Sequence, residues 1–181
     1  QGYGLRVTPA GTLPFDSEAG IGNATEVGAR IAAVPGVSGL APVLGAQLYA
    51  VRGETGGEPL FTSGIDPEAQ MIYQLIDGRD PQPGEVVVSA PVAEAYDLAP
   101  GDELQLAARL DVTLGHPYDI RDFTVSGIGD FLYNYADERS LALPLTELQR
   151  MTGRTEEVSL FAVAGEEQVD EEELAARIEA S

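Results

Sequence analysis

Residues 84–110, GEVVVSAPVAEAYDLAPGDELQLAARL, decide the fold class. Glu85 to Ser89 predicts a strand, Ala90 to Tyr96 one or two helical turns, and Asp102 to Leu110 a second strand, with Pro100-Gly101 as the tight turn before it. Downstream, Phe123-Thr-Val-Ser-Gly-Ile128 and Leu141-Ala-Leu-Pro144 predict two more short strands. A run of short strands with one covering helix reads as a small, partly closed β-barrel.

The flanks read differently. Gly4 to Pro9 predicts a short strand and Ala10 to Gly22 a turn-rich loop. A helix follows, capped by Asn23 or Thr25, with Glu26 in its first turn, Val27, Ile31 and Val34 on one face, and Pro35-Gly36 as its stop. Val37 to Arg52 is small, β-branched or apolar and predicts a long strand, with Leu48, Ala50 and Arg52 on one face and Tyr49 and Val51 on the other. Glu54-Thr-Gly-Gly57 is turn chemistry, so Pro59 to Ile65 returns antiparallel, and Asp66-Pro67 then predicts a short helix through Gln74. After Pro144, Thr146 caps a helix to Met151, Val158 to Val163 is a strand, and Val169 onward is an amphipathic helix with Leu174 and Ile178 facing inward. The expectation is an α+β fold in which residues 1–77 plus 146–181 build one mixed-sheet α/β subdomain and residues 78–145 are an inserted β subdomain.

Composition narrows the function. At 181 residues the chain is long enough for a real core, and its apolar runs fall far short of the roughly 20 residues that a spanning helix needs. Cysteine is absent, which excludes disulfides, thiolate metal sites and cysteine nucleophiles. Thirty acidic residues face ten basic ones, all arginine, for a formal charge of -20, a balance that repels nucleic acid. The charge reads as a solvated acidic surface suited to high salt, with attraction of a cationic ligand as the alternative. The chain opens on Gln1 rather than Met, and its last helix stops without a Gly, Asn or Pro terminator, so both ends read as cut.

Several motifs follow one another in an order that resembles a known family. Ile31-Ala-Ala-Val-Pro-Gly-Val37 is similar to a helix end leading into a long strand, and Gly64-Ile-Asp-Pro67 to a hairpin end. Leu75-Ile-Asp-Gly-Arg79, Gly84-Glu-Val-Val-Val-Ser89, Ala93 and Leu98-Ala-Pro-Gly-Asp102 then follow, with Phe123 to Ile128 and Leu143-Pro-Leu-Thr-Glu-Leu-Gln149 after them. Together they resemble the periplasmic core domain of MacB-like, LolC/E-like and FtsX-like ABC-transporter permeases. The resemblance implies a porter-like α/β subdomain carrying a sabre-like β insertion, in an extracytoplasmic domain of an integral cytoplasmic-membrane protein. It implies no catalysis and no cofactor in this domain, with ATP hydrolysed by an ABC ATPase subunit or domain reached through transmembrane helices outside this sequence. It further implies a permease dimer, and an extracytoplasmic adaptor, lipoprotein or peptide as partner. Leu110 to Arg121, with Gly115-His-Pro117, carries no family motif and reads as a hairpin extension.

Candidate chemistry is sparse. His116 is the only histidine, so no two-histidine metal site exists; its Gly and Pro neighbours place it at a solvated loop tip, and it is the only base available to a hydrolase. Asp66, Asp77, Asp80 and Asp102 stand where aspartate bonds turn backbone. Gly127-Ile-Gly129 lacks the third glycine of a phosphate fingerprint, and a chain without lysine cannot hold a Walker-type loop. Asp170-Glu-Glu-Glu173 suits a helix start better than a calcium site. Phe131, Tyr133 and Tyr135 alternate at strand spacing and are the candidate partner or substrate surface, packing against a helix being the other account. Asn23-Ala-Thr25 matches a glycosylation sequon, set aside because such triplets arise by chance and Asn23 already has a capping role. Transmission of ATP-driven change to an extracytoplasmic substrate or partner, which the resemblance implies, is the leading functional expectation; a free-standing binding module for a cationic peptide or apolar ligand is the second.

Overall fold

The computed structural model describes residues 4–10, 20–51, 53, 56–111, 113–132 and 138–180. In chain order these form β1 (Leu5–Val7), α1 (Ala24–Ala32), β2 (Val37–Val51), β3 (Gly57–Ile65), β4 (Tyr73–Gly78), β5 (Glu85–Ser89) and α2 (Ala90–Tyr96). They continue with β6 (Glu103–Asp111), β7 (His116–Phe131), β8 (Ser140–Pro144), α3 (Leu145–Thr152), β9 (Leu160–Gly165) and α4 (Glu171–Glu179). The result is a mixed α+β fold on a single mixed sheet.

Two long strands organise it. β2 has no charged side chain, and an apolar run of that kind suits a strand covered on both faces. Along one edge β2 pairs first with β9, through Val37 to Val43, and then with β6 at Tyr49 and Ala50; along the other it pairs with β3 through Val43 to Val51. β7 does the same at the far side: His116 to Thr124 pair with β6 and Gly127 to Phe131 with β4 on one edge, while β5 runs parallel to Thr124 to Gly129 on the other. Pairings of β3 with β8 and of β8 with β5 complete a closed ring, β2-β3-β8-β5-β7-β6. The strands from residues 78–145 are joined into that ring by β2 and β3, and β1 and β9 extend it as an open flank.

The core follows the ring. One cluster draws side chains from all six strands, among them Leu44, Leu48, Leu60, Val86, Val88, Leu104, Leu106, Phe123, Leu141 and Leu143, and is closed off by Val92 of α2 and Leu148 and Met151 of α3. Alternate residues on the outer face of β5 and β8, Val87 and Ala142, pack beneath Ile65, Tyr73 and Phe131. A third cluster lies between α1 and the β1–β9 flank, with Ile31, Val158, Phe161 and Val163 at its centre and Ile178 of α4 at its margin. Leu174, expected to face inward, is buried.

Two local expectations are corrected and a third is extended. No helix forms after Asp66: its carboxylate accepts the Glu68 amide at 3.1 Å, and the Gln70 side chain accepts the Ile72 amide at 3.0 Å, so polar side chains take over bonds that helix carbonyls would make. Tyr73 is then held extended against Phe131, and β4 begins there. Asn23 stands at the N-cap position of α1 with φ 50 and ψ 44, but its side chain caps nothing; the Ala24 amide instead donates to the Glu156 carbonyl at 2.9 Å and the Thr25 amide to Glu156 Oε2 at 3.4 Å. The strand expected over Phe123 to Ile128 is the inner part of β7, whose first half forms with β6 the hairpin extension expected over Leu110 to Arg121.

Candidate partner-binding surface

Phe131 is not on the surface. It is 8% exposed, with its ring centroid 5.3 Å from that of Tyr73, because the pairing of β7 with β4 turns it onto the outer core. Tyr133 and Tyr135 lie outside the described residues.

An apolar surface does exist elsewhere, on the outside of the ring. Tyr49 pairs with Pro59 on one side and Ala107 on the other, and Ala107 pairs with Ile120, so these four residues form one row across β3, β2, β6 and β7. Directly opposed residues share a face. One step along the strands, Phe61 faces Gln47, and on the other side Tyr118 faces Arg109. Phe61, Tyr118 and Ile120 are 43%, 47% and 46% exposed. The β2–β3 part of this face holds no carboxylate: β2 has none, and the one in β3, Glu58, lies on the alternate face, where it accepts the Tyr96 hydroxyl at 2.6 Å and pairs with Arg139. Asp119 at the hairpin margin is bound by the Arg109 guanidinium at 2.8 and 3.0 Å. In a chain of formal charge -20 this is an unusual clearing. Its sequence signal was the absence of any charge from Val37 to Val51 rather than the alternation of aromatics.

The remaining candidates are engaged in local structure. Asp66 and Asp77 each accept a nearby backbone amide, and Asp102 Oδ2 accepts the Ala99 amide at 2.8 Å within the turn that leads into β6. Asp80 accepts the Tyr73 hydroxyl at 2.7 Å; burial first, then this bond and the charge of Asp80, push the Tyr73 phenol far above its ordinary value. Glu85 is held below the usual carboxylate range by the Arg79 guanidinium, a solvent-facing pair. His116 is exposed at the start of β7 opposite Asp111, whose carboxylate accepts the Thr113 and Leu114 amides. Asp170 caps α4 by accepting the amides of Glu172 and Glu173, and the glutamates after it are exposed in the first turn. Gly127 and Gly129 lie inside β7. Among the described residues no helix is long and apolar enough to cross a membrane, and no group of acidic or histidine side chains is arranged to hold a metal.

The fold is shared with extracytoplasmic parts of transporters. The extracellular domain of the noncanonic ABC-type transporter YknZ from Gram-positive bacteria aligns with a TM-score of 0.60 at 16% identity, over 87% of this chain and 78% of that one. The periplasmic region of MacB from Actinobacillus actinomycetemcomitans aligns with a TM-score of 0.61 at 12% identity, over 87% and 72%. No curated protein matches the chain in sequence. The chain belongs to the MacB-like periplasmic core domain family, whose model matches residues 4–181. It is an extracytoplasmic domain of an ABC-transporter permease.

Proposed function

We propose that this domain transmits ATP-driven conformational change from the membrane helices of the permease to an extracytoplasmic partner or substrate, such as an adaptor, a lipoprotein or a peptide. It has no catalytic role in this reading: ATP is hydrolysed by a partner ATPase subunit or domain, and two permease copies act together. In this reading the porter-like unit is residues 1–77 plus 146–181 and the sabre-like unit is residues 78–145.

One observation carries the reading. β2 is a single continuous strand whose first half belongs to the flank with β9 and whose second half is a wall of the ring, in the carboxylate-free part of the apolar face. A strand hydrogen-bonded on both edges is stiff along its axis, so displacement of the flank moves that face as one body. The test uses the full-length permease: Phe61, Tyr118 and Ile120 are replaced together by serine, and ATP hydrolysis and substrate or partner release are both measured. The expected result is retained hydrolysis with release lost. Unchanged release in this variant, or in a permease lacking the whole domain, would overturn the proposal.

A further inference from the structure

We infer that Asn23 is an N-glycan acceptor. The chain has only two asparagines, Asn23 and Asn134, and Asn23-Ala24-Thr25 is its single Asn-x-Ser/Thr triplet. The structural reason for setting the triplet aside was the capping role of Asn23, and that role is filled by another residue. Glu156 receives the Ala24 amide on its carbonyl and the Thr25 amide on its carboxylate, which leaves the Asn23 side chain making no cap bond. Asn23 and Thr25 are both exposed. Beside them there is open space: a Cβ built on Gly22 would meet no atom within 4 Å. Among the described residues, none therefore stands in the space beside Gly22 into which a saccharide on Asn23 would project.

The residue type is informative as well. Asn23 sits in the left-handed backbone region, which suits Asn and Asp alike. At the other non-glycine positions of positive φ among the described residues, the chain uses Asp97, Asp119 and Glu156. Among the described non-glycine residues of positive φ, only the one in the sequon is not an acid. The domain is extracytoplasmic, which is where such acceptors are found. Transfer forms a bond between Asn23 Nδ2 and the anomeric carbon of the sugar. It breaks the bond from that carbon to a phosphate oxygen of a lipid-linked saccharide donor. The lipid phosphate leaves, and the amide proton passes to a base of the membrane-bound transferase.

The test is the mass of one peptide. Trypsin cutting after Arg6 and Arg30 releases residues 7–30, in which Asn23 is the only asparagine. In full-length permease purified from the organism that makes it, this peptide is expected to carry the added mass of one or more sugars, placed on Asn23 by fragmentation. Asn23→Gln and Thr25→Val should each remove the addition, while Thr25→Ser should keep it. A peptide found only at its unmodified mass in the unaltered protein overturns the inference, and so does an added mass that persists in Asn23→Gln.

Discussion

Gly78 and Gly127 show how single residues set this fold. They face each other where β4 meets β7, and a Cβ on Gly127 would lie 2.8 Å from the Arg79 carbonyl oxygen and 2.9 Å from that of Asp77. Gly78 has φ 78 and equally little room, since its Cβ would lie 2.2 Å from the Ser126 carbonyl oxygen. Gly127→Ala is expected to destabilise by about 1–3 kcal/mol, the range for overpacking, and a urea midpoint equal to the parent's would contradict this. Asp170 makes the cap that Asn23 does not, so Asp170→Ala should cost about 1 kcal/mol, visible as an unchanged urea slope with a lower midpoint. Tyr73 supplies a pH test. Its folded pKa lies above the ordinary tyrosine value of about 10, so the folded state holds the proton more tightly. Stability linked to it is whole below pH of about 10 and is lost as pH rises from there toward the folded value. Tyr73→Phe should flatten that alkaline decline by about one proton while costing on the order of 1 kcal/mol at neutral pH for the lost bond to Asp80. A decline as steep as the parent's would show that Tyr73 is not its source.

At the scale of elements, local signals told most where the chain bonds to its own neighbours. α2 begins and ends where its residues predicted, and β3 returns antiparallel to β2 as expected, with Val51 paired to Gly57. β4 was missed because Asp66-Pro67 reads as a helix start, whereas its extended form depends on β7 and on burial of Tyr73, neither of which is near in sequence. In the first half of β7, Tyr118 and Ile120 alternate with Asp119 and Arg121, but there the apolar side of the alternation faces solvent rather than the core. The same fact hid the candidate surface. Leu48 and Ile120 measure the contrast between ring interior and exterior. Leu48, fully buried, should cost about 2–5 kcal/mol when replaced by alanine, as thermal or urea unfolding will register. A loss below about 1 kcal/mol would mean that the ring interior is not packed as described.

For the whole molecule, charge and closure matter most. A formal charge of -20 repels itself, and screening shortens its reach from about 30 Å at 0.01 M salt to about 3 Å at 1 M. Stability is therefore expected to rise with sodium chloride across that interval, followed as the urea midpoint; a flat or falling midpoint would show that the acidic surface is not a folding burden. From sequence alone came the α+β class, the family, the order of most elements and the lack of a lysine-dependent nucleotide site, because these follow from residue type, short-range pattern and motif order. The tertiary structure alone decided that the ring closes through β2 and β3, that Phe131 is core, that Glu156 rather than Asn23 caps α1, and where an apolar face is exposed. Each of those depends on which distant strand lies alongside, and pairing partners far apart in the chain leave no local mark on the residues that meet.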